Sequence, residues 1–242
     1  MTTGDAVNGG SGTDTLSITA ANSTSYSVAP TLTSVENVTV AELGSSTAAV
    51  NLVYSTGVTG VTSRLSGQDV TFSNLQAAAT VTADGTTANK TIATFKNTLA
   101  SGTADSISLA VTNGATAAFQ VGGIDQTSQF ETLNIASNGG VKNTISGITD
   151  NASSPGNYGG VKSVVATGAA DLAITLAGAA TTASYDGSAA TGAQTVTWGG
   201  NFTSVKSGAG NDIIDASAGS FLGSTAAKTK IGRASCRERV SS

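Results

Sequence analysis

Short runs in which apolar and hydroxyl-bearing residues alternate recur along the whole chain. Val, Ile or Leu takes every second position, Thr or Ser lies between, and Gly, Asn or Asp usually closes the run. A period of two is typical of strands that bury one face, and no sustained helical stripe is present. The clearest strand candidates are residues 35–40, 49–55, 69–74, 79–84, 91–97, 106–113, 130–137, 161–167, 172–178, 194–198 and 212–217. The pattern predicts an all-β protein.

A weak internal repeat indicates how these strands are arranged. Residues 35–40 (V-E-N-V-T-V) align with 130–135 (F-E-T-L-N-I), with 161–166 (V-K-S-V-V-A) and less fully with 202–206 (F-T-S-V-K). The fourth and sixth places are apolar and share one strand face, whereas the apolar first place must turn inward at a corner. This predicts a parallel β-solenoid, a β-helix or β-roll, of about nine coils with roughly 20 to 25 residues each. We expect small side chains in its narrow interior rather than a wide aromatic core.

A β-sandwich is the alternative fold, because the spacing of the runs also suits two packed antiparallel sheets. Such sheets need tight hairpins, and Asn-Gly or Asp-Gly signals are few. They occur at residues 84–85, 113–114, 138–139 and 186–187.

A glycine-rich motif lies near each end of the chain. Residues 9–17 fit the nonapeptide G-G-x-G-x-D-x-U-x at every specified place, through Gly9, Gly10, Gly12, Asp14 and the apolar Leu16. Residues 4–7 fit the second half of a preceding copy, which makes Asp5 equivalent to Asp14. Residues 207–215 fit with Ser207 in place of the first glycine, and this copy supplies Gly208, Gly210, Asn211 and Asp212.

Calcium binding gives this pattern a physical reason. Ca²⁺ takes six to eight oxygen ligands, glycines allow a tight turn that aims backbone carbonyls at one point, and the aspartate supplies charge. One nonapeptide supplies too few oxygens, so a full site requires stacked turns. We therefore expect Ca²⁺ as the cofactor, bound with a dissociation constant of about 10⁻⁴ to 10⁻³ M.

Composition excludes several classes of function. The 242 residues contain no His, which excludes Ser-His-Asp and Cys-His catalysis and His-ligated metals. No run of about 18 apolar residues occurs, so we expect no membrane span. The segment 228–242 holds five of the eleven basic residues and one acidic residue, which leaves six basic and fourteen acidic residues elsewhere. An acidic body without a basic stripe argues against nucleic-acid binding.

The segment 228–242 is interpreted as not native to the protein. Residues 230–240 resemble the translation of a common sequencing adapter, and they include Cys236, the single cysteine. We exclude the segment from functional reasoning.

The nonapeptides resemble the calcium-binding repeats of RTX proteins, and the Thr-, Ala- and Gly-rich region between them is similar to RTX-type bacterial S-layer proteins exported by type I secretion. The resemblance implies partial repeats at residues 1–20, a solenoid at 21–203 and a further repeat at 204–223. It also implies a non-catalytic structural protein, an S-layer component or adhesin, located outside the cell on the bacterial surface. Its expected partners are other copies or lattice neighbours and cell-surface polysaccharide.

Two other functions compete with this interpretation. A polysaccharide-degrading β-helix would need paired carboxylates beside a sugar subsite, but Asp69, Asp84, Asp105, Asp125, Asp171 and Asp186 are scattered singly, as turn residues are. Binding of ice or another ligand through threonine ladders is suggested by Thr-x-Thr at residues 31–33, 80–82 and 195–197.

Overall fold

Two long parallel sheets make up most of the molecule, whose computed structural model describes residues 1–151, 160–176, 183–198 and 202–215. Sheet I contains β2 (Thr15–Ala20), β5 (Asn37–Glu42), β7 (Gly60–Arg64), β9 (Thr80–Asp84), β11 (Ser106–Thr112), β13 (Thr132–Asn138), β15 (Ser163–Gly168), β17 (Ala183–Ala190) and β19 (Phe202–Lys206). Sheet II contains β3 (Tyr26–Val28), β6 (Ala48–Asn51), β8 (Val70–Leu75), β10 (Thr87–Phe95), β12 (Thr116–Gly123), β14 (Asn143–Asp150), β16 (Leu172–Leu176), β18 (Gln194–Trp198) and β20 (Ile213–Asp215). A small third sheet joins β1 (Ala6–Asn8) to β4 (Thr31–Thr33), and a 3-10 turn spans Asn97–Leu99.

The chain winds as a solenoid. From β5 onward it alternates between sheet I and sheet II, so each coil adds one strand to each sheet. Every strand pairing in the described part of the chain is parallel, which confirms the parallel β-solenoid and excludes the antiparallel sandwich. The dipeptides at residues 84–85, 113–114 and 138–139 form corners between the two sheets rather than hairpins, and Asn113 and Gly114 both have positive φ there. Nine strands per sheet make a stack about 40 Å long.

Coil length varies more than the sequence predicts. The first registers in sheet I pair Thr15 with Asn37, Asn37 with Gly60 and Gly60 with Thr80, which gives coils of 22, 23 and 20 residues. The coil then lengthens to 28 residues between Thr80 and Ser108 and to 31 between Thr132 and Ser163. In the coil from Thr80 to Ser108 the added residues lie in the loop at residues 96–105, where extra chain costs little because the strands on either side keep their pairing.

The repeat with apolar first, fourth and sixth places is confirmed by burial. Val35, Val38 and Val40 are buried, as are the corresponding residues of the copies at 130–135 and 161–166. The latter two copies stack directly, since Leu133 pairs with Val164. The first-place residue enters the core at the corner that precedes β5, β13 and β15.

The prediction of a core without large rings is wrong in part. Phe72, Phe95, Phe119 and Tyr185 are all fully buried. Phe72 lies in its ladder between the smaller Val50 and Ala93, so neighbouring coils leave room for a ring that each coil alone could not hold. This ring therefore occupies a position flanked by smaller side chains.

Within the residues that the structure describes, no helix has both the length and the apolar character needed to cross a membrane.

Candidate functional site

The first nonapeptide forms the loop between β1 and β2, at the corner that leads into sheet I. Gly10 and Gly12 have φ values of 88° and 120°, a region that side chains other than glycine rarely adopt. Position 9 has no room for a side chain, because a Cβ atom there would lie 1.9 Å from the carbonyl oxygen of Ser34 in the next coil. Three motif glycines thus let the loop turn tightly against the following coil.

Asp14 ends this loop and lies beside a second carboxylate. The backbone N–H of Asp14 donates to Oε2 of Glu36 at 2.8 Å, 22 residues further along the chain. The Oδ2 atom of Asp14 is buried and has no hydrogen-bond partner among the described residues. The corner therefore places the Glu36 carboxylate against the backbone of Asp14 and leaves one buried carboxylate oxygen of Asp14 without a donor.

Asp5 occupies a different corner from Asp14. It directly precedes β1 of the small sheet, and its exposed carboxylate accepts hydrogen bonds from the backbone N–H of Thr2 at 2.8 Å and from the Thr2 hydroxyl at 3.0 Å. These bonds lower the pKa of the Asp5 carboxyl below its usual value. Both aspartates precede a strand, as the nine-residue frame predicts, but they precede strands of different sheets.

The second nonapeptide lies at the opposite end of the solenoid, between β19 and β20. A Cβ atom on Gly208 would lie 2.1 Å from the carbonyl oxygen of Ala190, and one on Gly210 would lie 2.7 Å from the Cα atom of Ala193. Asn211 is exposed beside them. The glycines at this end again allow the loop to pack closely on the neighbouring coil.

Asp212 repeats the feature found at Asp14. Its Oδ1 atom accepts the backbone N–H of Gln194 in the preceding coil at 2.9 Å, while its Oδ2 atom is buried without a partner in the described part of the chain. Gln194 also accepts a hydrogen bond from the Tyr185 hydroxyl and donates to the carbonyl of Gly187 at 3.1 Å. Burial raises the pKa of the Tyr185 phenol well above its usual value, and the charge of Asp212 adds to the rise.

Sequence reasoning did not identify Glu36, Tyr185 or Gln194 as neighbours of the motif aspartates. One signal was present for Glu36, because it holds the second place of the internal repeat and Glu131 holds the same place in another copy. Glu131 accepts the backbone N–H of Asp105 at 2.8 Å, the same bond that Glu36 makes to Asp14.

The corner at Asp105 differs from the corner at Asp14 in one respect. The Oδ2 atom of Asp105 accepts the backbone N–H of Gly102 at 2.5 Å, so it has a donor. The Asp105 corner therefore has the same hydrogen bond from the aspartate backbone to a glutamate carboxylate, but the Oδ2 atom of its aspartate is not left without a partner. It provides an internal comparison for the Asp14 site.

The donor set at the two nonapeptides is oxygen-only and suits a hard cation such as Ca²⁺. Across residues 1–151, 160–176, 183–198 and 202–215, no three His, Cys, Asp or Glu side chains gather in a group able to hold a metal. An ion at Asp14 would thus depend on this carboxylate, on Glu36 and on backbone oxygens of the glycine loop.

Two of the scattered aspartates stabilise turns of their own loops. Asp125 accepts hydrogen bonds from the Ser128 hydroxyl and from the N–H groups of Thr127 and Ser128, which lower its pKa to about 2. Asp186 accepts from the hydroxyl and N–H of Ser188, and the pKa of Asp186 is lowered. These carboxylates are engaged with their own loops.

Two shallow recesses open on the surface of the described region. One, of about 210 Å³, is lined by Thr59, Ala78, Ala79, Thr80, Phe95, Leu99, Ser106, Ile107, Ser108 and Phe130. The other, of about 270 Å³, is lined by Thr80, Ser108, Leu109, Ala110, Asn134, Ile135, Ala136, Val165 and Thr167. Neither recess has a carboxylate in its lining, so neither has the acid and base that glycoside hydrolysis requires.

The three Thr-x-Thr segments lie in three different sheets, namely β4, β9 and β18. Hydroxyl residues do form a ladder on the outer face of sheet I, and it includes Thr82 of the segment in β9. Its members pair in register over four successive coils: Ser17, Thr39, Thr62 and Thr82.

Comparison of the chain with protein families, with curated proteins and with solved structures finds no match.

Proposed function

We propose that the protein is a non-catalytic, calcium-binding structural segment of a bacterial surface protein, an S-layer component or an adhesin. One observation carries the proposal. The two motif aspartates, Asp14 and Asp212, each keep a buried Oδ2 atom without a hydrogen-bond donor in the described part of the chain. Buried polar atoms are nearly always satisfied, so an ion at each aspartate accounts for both.

Calcium at these corners would join one coil to the next. At Asp14 the candidate ligands come from the loop at residues 9–14 and from Glu36 in the following coil. At Asp212 the neighbouring coil is already joined to the aspartate, because the backbone N–H of Gln194 donates to its Oδ1 atom and leaves Oδ2 for the ion. An ion that binds only the folded coils stabilises them in proportion to its occupancy, which stiffens the two ends of the solenoid.

A stiff rod with strand edges at its ends suits a role in assembly. The inward-facing Leu16 of β2, Val205 of β19 and Ile214 of β20 are only partly buried, unlike the equivalent residues of the central coils. Contact with further coils, with other copies of the chain or with lattice neighbours would complete this burial. We place the protein outside the cell, where calcium is plentiful, with cell-surface polysaccharide as a further candidate partner.

Calorimetric titration of the full chain with Ca²⁺ tests the proposal. We expect binding in the range of about 10⁻⁴ to 10⁻³ M, and loss of most of the heat in the double variant Asp14→Asn/Asp212→Asn. Asp105→Asn is the matched control, because Asp105 occupies the same kind of corner but already has a donor. Absence of binding at millimolar Ca²⁺, or equal binding by the double variant, would contradict the proposal.

The competing enzymatic function predicts a different result. A polysaccharide-degrading β-helix releases reducing sugars from anionic or neutral glycans, whereas a structural segment releases none. A positive screen that survives purification to homogeneity would favour the enzyme.

A second candidate function rests on the hydroxyl ladder formed by Ser17, Thr39, Thr62 and Thr82. Its rungs are about 4.8 Å apart because they follow the strand spacing, and such a regular array can order water. Thermal hysteresis of a freezing solution measures binding to ice. Activity that is lost in Thr39→Lys/Thr62→Lys would support this function, and absence of hysteresis in the unaltered chain would exclude it.

A further inference from the structure

A column of buried polar residues lies inside the corner between sheet I and sheet II. Glu42, Ser66 and Thr86 occupy successive coils and are 1%, 1% and 3% exposed. The backbone links them, because the N–H of Gly67 donates to the Glu42 carbonyl and the N–H of Thr87 donates to the Ser66 carbonyl. The column belongs to neither nonapeptide.

Two side-chain oxygen atoms in this column have no hydrogen-bond partner among the described residues. The Oε1 atom of Glu42 accepts the N–H of Gly44 at 2.9 Å, but its Oε2 atom is buried and has no partner among the described residues. The Thr86 hydroxyl two coils away also has no partner there, neither a donor to its oxygen nor an acceptor for its proton. The Ser66 hydroxyl accepts the Glu42 N–H at 3.0 Å, and its single proton faces two carbonyls, those of Val40 and Arg64.

The charge of Glu42 also lacks compensation. The ion pairs of the described residues join Arg64 to Asp84 and Lys206 to Asp186, and the Arg64 side chain is 56% exposed on the outside of the solenoid. Burial of a carboxylate without a counter-charge is costly, and buried charges in proteins are normally paired. A bound cation supplies both the missing charge and a partner for Oε2.

We propose that the interior corner at Glu42 binds one monovalent cation of the Na⁺ or K⁺ class. One carboxylate balances one positive charge, and the other oxygens of the column, the Ser66 hydroxyl and the carbonyls of Val40 and Arg64 that it contacts, are neutral. A divalent ion would leave an excess positive charge in the interior. This site is separate from the calcium sites of the proposed function, and its test does not depend on calcium binding.

The stability of the full chain in different salts tests the site. Urea unfolding is measured in EDTA, in NaCl or KCl and in tetramethylammonium chloride at equal ionic strength, since tetramethylammonium is too bulky to enter. We expect the unfolding equilibrium constant to be about tenfold smaller when Na⁺ or K⁺ is ten times its Kd. Glu42→Gln should abolish the difference between the salts.

Glu131→Gln is the matched control, because Glu131 accepts a backbone N–H at a corner of the solenoid and lies outside the polar column. It should keep the full difference between the salts. Equal stability of the unaltered chain in NaCl, KCl and tetramethylammonium chloride, or a difference that persists in Glu42→Gln, would overturn the proposal. Because EDTA is present throughout, neither result depends on calcium binding.

A crystal grown in RbCl locates the ion even if Glu42→Gln fails to fold. An anomalous peak within bonding distance of Glu42 Oε2 is expected. A Glu42 carboxyl group that instead donates to a backbone carbonyl, with no peak beside it, would show that protonation replaces the cation and would overturn the proposal.

Discussion

Glu36 and Asp14 lie in neighbouring coils and are joined by a hydrogen bond, in which the backbone N–H of Asp14 donates to Oε2 of Glu36 at 2.8 Å. Glu131 and Asp105 form the same bond at the same distance. The carbonyl of each glutamate also accepts two backbone N–H groups from the following coil. Each glutamate therefore holds three successive coils in register at one corner.

Removal of either glutamate side chain should destabilise the solenoid. Glu36→Ala or Glu131→Ala leaves a backbone N–H without its charged acceptor, and we expect the free energy of unfolding to fall by about 1–3 kcal/mol. Chemical denaturation measures this loss. Lys142→Ala, a change at an exposed residue, should stay within about 0.5 kcal/mol. Similar values for all three variants would show that the corner bond contributes nothing.

Substitution of Gly9 should disrupt the first corner. A methyl group there would lie 1.9 Å from the Ser34 carbonyl oxygen, so the loop must shift, and we expect Gly9→Ala to lower the free energy of unfolding by about 1–3 kcal/mol. A Cβ atom on Gly140 meets nothing within 4 Å, which makes Gly140→Ala the control. Equal melting temperatures of the two variants would count against the packing described for this loop.

The carboxyl group of Asp125 should titrate with a pKa of about 2. Its strongest stabilising contact is the Ser128 hydroxyl at 2.7 Å, so Ser128→Ala should raise this pKa toward the usual value. A lowered pKa in the folded chain stabilises it above the unfolded pKa of about 3.9, and this contribution is lost as the pH falls toward 2. Carbon-13 NMR of the Asp125 carboxyl measures the pKa directly. A pKa that is ordinary in the unaltered chain, or unmoved by Ser128→Ala, would refute the assignment.

Strands with regular alternation could be predicted from the sequence, and all eleven candidate segments overlap strands of the structure. Two of the missed strands, β14 and β17, have a physical reason. In β14 the two buried isoleucines, Ile145 and Ile148, are three residues apart, because a bulge in the pairing with β12 interrupts the period of two. In β17 an irregular register and Gly187 have the same effect.

The candidate site was predictable only within each motif. The glycine pattern located Asp14 and Asp212, since a tight turn leaves a local signature. Glu36 could not be paired with Asp14 beforehand, because their contact depends on a coil of 22 residues, and coil length varies from 19 to 31 residues along sheet I. The burial of Glu42 could not be predicted from the sequence either, because a glutamate at the end of a strand normally lies in solvent.

Hydrogen exchange of the full chain with and without calcium tests the central claim most directly. If calcium joins the end coils, millimolar Ca²⁺ will slow amide exchange in residues 9–20 and 207–215 relative to EDTA, while β8 and β10 in the middle of sheet II will exchange at unchanged rates. Identical exchange at both ends in Ca²⁺ and EDTA would contradict a calcium-stabilised solenoid.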